Sequence, residues 1–187
     1  AMERALQYES ERTIAETLQQ SVLPESLPVV DGVQMAARYL PGTAAVDVGG
    51  DWFDAIPLTD TRLGLAVGDV VGKGVRAAAT MAQLRNGLRA FALDQMKPSS
   101  TVTRLNRLTG EVDDSAFATL VYAVLDLDRR VLRFTAAGHL PPAVRYPDGR
   151  VEFLEGGRSL PLGVSVEAEF EQEAVELPTG STIVLFT

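Results

Sequence analysis

Residues 117–127 read Phe-Ala-Thr-Leu-Val-Tyr-Ala-Val-Leu-Asp-Leu, a run in which both alternating sets of side chains are mainly apolar. A strand with one face in water alternates apolar and polar residues, whereas a run apolar at both parities needs cover on both faces. This segment therefore demands a sheet with a layer above it and another below it. Periodicity predicts further strands at Val33–Leu40, Val46–Leu58, Arg62–Val71, Val131–Ala137, Ala143–Tyr146, Val151–Leu154, Phe170–Leu177 and Thr182–Phe186. Pro41-Gly42, Thr59-Asp60-Thr61 and Pro147-Asp148-Gly149-Arg150 supply turns between them.

Two helices interrupt the strands. Val75–Leu93 places Ala77, Met81, Leu84, Leu88 and Phe91 on one face beside Ala78 and Ala82, small residues that suit close approach to a sheet. After Pro98, Ser99 or Ser100 is a candidate cap for a second helix running to about Glu111. Together these elements predict an α+β domain of two antiparallel sheets stacked face to face, with helices on an outer face.

Residues 1–24 stand apart from 25–187. Ile14, Leu18 and Val22 form a thin helical stripe that stops at Pro24. Two readings stay open: a helix lying on its own domain, or a linker helix that joins an upstream sensor domain or pairs with a second chain. Ala1 before Met2, and a strand at Ser181–Thr187 with no turn after it, lead us to expect a C-terminally truncated piece of a longer protein.

Composition narrows the chemistry. With 17 basic against 25 acidic residues the net charge is −8, a balance that argues against nucleic acid as partner. No apolar run approaches the roughly 20 residues of a membrane span, and no signal peptide opens the chain, so a cytoplasmic protein off the membrane is expected. There is no Cys, which removes thiol nucleophiles, disulfides and thiolate metal sites, and His139 is the single His. Catalysis must then run on carboxylates, hydroxyls, Lys, Arg and a metal or cofactor.

Two segments offer carboxylates in a usable setting. Gly49-Gly50-Asp51-Trp52-Phe53-Asp54 and Gly68-Asp69-Val70-Val71-Gly72-Lys73-Gly74 each set an Asp beside glycines at the end of an apolar run, which is how a sheet presents oxygen ligands to Mg²⁺ or Mn²⁺. The second segment is not a P-loop: Val67 stands where the first Gly is required, and Gly74 replaces the hydroxyl residue. It remains open to a turn Asp satisfying local amides. In a strand Asp51 and Asp54 point to opposite faces, so both serve one site only across a bulge; Asp51, beside the glycines, is the ligand candidate and Asp54 a supporting or structural residue. Trp52 and Phe53 read as core. His139, at a strand end in Ala137-Gly138-His139-Leu140-Pro141-Pro142, reads as a buried imidazole bonded to loop backbone rather than a general base.

The motifs Val48–Asp54, Gly68–Gly74, Phe117-Ala118-Thr119, Ala137–Pro142 and Pro161-Leu162-Gly163 occur in the order that resembles the bacterial SpoIIE/RsbU-like branch of metal-dependent, type 2C-like serine/threonine phosphatases. The resemblance runs from about Leu23 to Thr187. It implies a four-layer αββα sandwich with two Mn²⁺ or Mg²⁺ ions at one end of the β-layers. It also implies that Asp69 bridges the metals, that Val70 offers its backbone carbonyl, and that Asp51 binds directly or through water. Asp51 and Asp69 are thus the candidate catalytic residues, serving hydrolysis of phosphoserine or phosphothreonine by a metal-activated water. The substrate so implied is a phosphorylated STAS-type anti-sigma-factor antagonist, within partner-switching control of sigma factors, and the N-terminal helix corresponds to a regulatory linker that is often dimeric. Two departures stand out. Val70 and Val71 occupy the place where eukaryotic relatives carry a His, and the family's remaining acidic ligands would fall after Thr187. A catalytically silent phosphatase-like regulatory or dimerisation module is the alternative.

Overall fold

A computed structural model describes residues 13, 14, 17, 23–40, 50–112 and 116–187. Of the first 24 residues it thus describes few, and residues 13, 14 and 17 are helical; the linker-helix and dimer expectations otherwise lie outside the described residues.

The larger sheet holds β1 (Asp51–Thr59), β2 (Arg62–Val70), β3 (Ala118–Asp126), β4 (Val131–Ala137), β7 (Arg158–Ser159) and β8 (Glu173–Glu176). Its order is β1-β2-β3-β4-β7, with β8 also on β4. Every pairing in it is antiparallel except β4 with β7. The smaller sheet is β6-β5-β9, from β5 (Ala143–Arg145), β6 (Val151–Phe153) and β9 (Thr182–Val184), all antiparallel.

Helix α1 (Gly74–Leu93) packs on β1 and β2, and α2 (Pro98–Val112) on β3 and β4. Among the described residues the layers are therefore helices, large sheet and small sheet, the α+β stack that the sequence predicts. The demand made by residues 117–127 is met on both sides. From β3, Leu120, Tyr122 and Val124 meet Met81, Leu84 and Leu88 of α1, while Ala123 and Leu125 meet Val144, Tyr146 and Leu154 under the small sheet. Burying each large side chain stabilises by about 1.5–3 kcal/mol. Trp52, 1% exposed, fills the space over Gly68, where an added Cβ would come within 2.3 Å of its ring. No helix among the described residues is long and apolar enough to cross a membrane.

Three local expectations need correction. Val33–Leu40 is no strand; Val33 makes a single bridge to Val30 across the Asp31-Gly32 turn. Its alternation is nonetheless real, since Val33 and Met35 pack into the inter-sheet core. Alternation fixes which way side chains face, but a strand also needs a partner with which to share its backbone bonds. Helix α2 starts at Pro98, whose missing N–H suits a first helical position; Ser99 is inside it and bonds the Gln172 side chain instead of capping. Phe53 is half-buried rather than core. Strand β7 is an addition, since two residues are too few to show a period.

Candidate metal centre

Strands β1 and β2 pair in register, with Asp51 directly opposite Asp69, and β3 continues the row with Thr119 opposite Asp69. Directly opposed residues of an antiparallel pair have Cβ atoms about 4.5–5.5 Å apart and share a face. Asp51 has the parity of Ala55, and Asp69 that of Leu63, both in the inter-sheet core. The two carboxylates therefore open on the small-sheet side, at the end of the strands. There is no bulge between Asp51 and Asp54; the register of β1 shifts only between Pro57 and Thr59.

Asp54 consequently points the other way, toward α1. Its carboxylate is fully buried and accepts from Arg89 at 2.7 Å, while Arg85 Nε lies 3.1 Å away in ion-pair range but without hydrogen-bond alignment. The Ala55 N–H adds a bond of 2.9 Å. Asp54 thus clamps helix to sheet. The sequence offered a signal in the Arg85/Arg89 spacing of one helical turn, but nothing that joined it to Asp54.

Asp69 instead faces a second carboxylate, Asp51. Burial raises the Asp69 pKa above its ordinary value, and the Asp51 charge raises it further. Like charges directly opposed destabilise a sheet, and a divalent cation between them would remove that cost. Val70, next to Asp69, donates its N–H to the Gly50 carbonyl at 3.1 Å. A Cβ at position 50 would stand 2.1 Å from the Val70 oxygen, so glycine there lets the two backbones close up beside the carboxylates.

The donors are all hard oxygens, the set suited to Mg²⁺ or Mn²⁺. Among the described residues no group of three or more His, Asp or Glu side chains able to hold a metal is present. Two carboxylates and one carbonyl leave much of a six-coordinate shell to water or further ligands.

The far side of the centre is closed by groups the sequence did not connect. His139 is 7% exposed; its Nδ1 lies 2.7 Å from Thr119 Oγ1 and its Nε2 3.1 Å from the Phe186 carbonyl. It is buried and bonded to backbone, as expected, and also to a side chain beside Asp69. The Thr187 hydroxyl donates to Asp51 Oδ1 at 2.9 Å. Thr119, His139, Thr187, Gly138 and Arg158 line a cavity of about 220 Å³. A larger groove of about 1320 Å³ runs beside β1 and is lined by Asp51, Phe53, Tyr39, Phe186 and Thr187.

Comparison with known proteins adds to this geometry. The family model described as stage II sporulation protein E (SpoIIE) matches residues 59–187, more than half of the chain. The phosphoserine phosphatase RsbU of Bacillus subtilis (strain 168) is 28% identical over 187 residues, covering 98% of this chain and 55% of RsbU. The chain thus spans about half the length of that relative. Among solved structures, the RsbU and RsbW domains of Rv1364c from Mycobacterium tuberculosis match with a TM-score of 0.66 and 35% identity, over 75% of this chain and 38% of that one. The SiaA-PP2C domain of Pseudomonas aeruginosa matches with a TM-score of 0.71 and 16% identity, over 96% of this chain and 72% of that one, a likeness of fold.

Proposed function

We propose, from the premise that this chain belongs to the stage II sporulation protein E (SpoIIE) family, that it carries the core of a metal-dependent protein phosphatase acting on phosphoserine or phosphothreonine. The observation that carries the reading is the in-register opposition of Asp51 and Asp69 on one face of the sheet. The name of the relative RsbU, a phosphoserine phosphatase, supports the substrate class.

Asp51 and Asp69 would hold the cation, with the Val70 carbonyl beside them. When bound, such an ion polarises phosphoryl oxygens and makes water a better nucleophile at neutral pH. The chain's own residues do the rest. The rigid ladder fixes the spacing of the two carboxylates. Thr187 orients Asp51 through its hydroxyl. The groove beside β1 borders the centre at Asp51 and Thr187.

Within this reading the substrate is a phosphorylated STAS-type anti-sigma-factor antagonist in the cytoplasm, and residues 1–24 form the regulatory linker to an upstream sensor, with dimerisation through that helix. The alternative reading is a catalytically silent phosphatase-like regulatory or dimerisation module. Hydrolysis of a phosphoserine STAS protein in Mn²⁺, compared between wild type and Asp69→Asn, tests the choice. Enzymatic function predicts a loss of about 10²–10³-fold in the variant; equal rates would remove Asp69 from the mechanism.

A further inference from the structure

We infer that His139 is a positioning residue that ties both carboxylates to one frame, Asp69 through Thr119 and Asp51 through the segment Phe186-Thr187. The inference rests on the reading that Asp51 and Asp69 hold a cation, and adds the group that sets their geometry.

The Phe186 carbonyl can only accept, so the Nε2 atom 3.1 Å from it carries a proton and donates. Burial holds the imidazole pKa below its ordinary value, against the opposing pull of the Phe186 bond and the Asp51 charge. A neutral ring with its proton on Nε2 has a bare Nδ1, which accepts from the Thr119 hydroxyl at 2.7 Å. Both ring nitrogens are then committed, and the ring cannot turn without breaking a bond.

Each partner stands one step from a carboxylate. Thr119 is the cross-strand neighbour of Asp69. Phe186 precedes Thr187, whose hydroxyl holds Asp51 Oδ1. The loop that presents His139 is itself fixed: Gly138 has φ +63, its N–H donates to the Ser159 carbonyl at 2.9 Å, and a Cβ there would meet Pro161 at 2.4 Å. His139 thus joins the end of the large sheet to the end of the small one across the centre. Partners that orient metal ligands commonly change metal affinity by about 10–100-fold when removed.

Two measurements test this. His139 is the single histidine, so long-range ¹H–¹⁵N NMR of the untagged wild-type protein at pH 7 reads one imidazole. The expected pattern is the neutral tautomer protonated at Nε2; a ring protonated at Nδ1 alone would reverse the Thr119 bond and abolish the Phe186 bond, and overturns the inference, whatever any variant does. The second is Mn²⁺ affinity by calorimetry. Gln places an amide donor near the Nε2 position, whereas Asn reaches only the Nδ1 position. His139→Gln is expected to stay within about threefold of wild type and His139→Asn to lose about 10–100-fold. Equal affinity in wild type and His139→Asn, or equal losses in Asn and Gln that track a falling Tm, would overturn positioning in favour of plain structural glue. Asp69→Asn is the control: if it too leaves Mn²⁺ affinity unchanged, the cation reading fails and takes this inference with it. If it abolishes binding while His139→Asn does not, the inference fails alone.

Discussion

Asp51 and Asp54 belong to one strand, three residues apart, and meet opposite company. Asp54 turns to α1 and is met by Arg85 and Arg89, so its charge is neutralised inside the protein. Asp51 turns to the small sheet and is met by a second carboxylate, Asp69, and by the Thr187 hydroxyl. The first arrangement is complete as it stands and serves stability. The second sets two like charges side by side, an arrangement that a bound divalent cation would complete. The same side chain thus acts as a clamp or as a ligand according to strand parity.

Substitutions can break that contrast. The largest effect on folding is expected at Asp54. Asp54→Ala strands two guanidinium groups; the 3–5 kcal/mol typical of a fully buried pair falls to about 3 kcal/mol, because the Arg89 side chain is 41% exposed. Urea unfolding would measure it, and a loss under about 1 kcal/mol would mean the clamp is incidental. At Asp51 the sign should reverse. Asp51→Asn keeps an acceptor for Thr187 and removes one of two like charges. Metal-free stability is therefore expected to stay level or rise by less than about 1 kcal/mol, while the Mn²⁺-induced rise in Tm disappears. A clear destabilisation of the metal-free variant would erase the contrast.

The smallest effect concerns pH. The folded-state pKa of His139 is depressed by burial, so the unfolded chain takes up the proton first. Its contribution is fully present above the ordinary value of 6.5 and is lost as pH falls through the lower folded value. The resulting slope is below about 1.4 kcal/mol per pH unit, and stability against pH should be flatter in His139→Gln over that window.

How much of this could be read from the residues differs from place to place. The double-sided apolar run at 117–127 announced the layered sheet, because burial on both faces leaves a compositional trace. Parity set Asp51 and Asp54 on opposite faces, the glycines beside Asp51 singled it out, and those at 50 and 68 marked where backbone or ring comes close. Val33–Leu40 misled because alternation records facing and is silent about partners. Register was out of reach: that Asp51 opposes Asp69, and not a neighbour, depends on how the β1–β2 turn closes. The bonds of His139 reach 20 and 47 residues along the chain, to Thr119 and Phe186. No local pattern encodes contacts of that span.

The central claim is that the two opposed carboxylates share a divalent cation. Anomalous diffraction at the manganese edge, from crystals soaked in MnCl₂, tests it most directly. A peak is expected within coordination distance of both Asp51 and Asp69, lost in Asp69→Asn. Full occupancy elsewhere, with no peak between these two side chains, would contradict it.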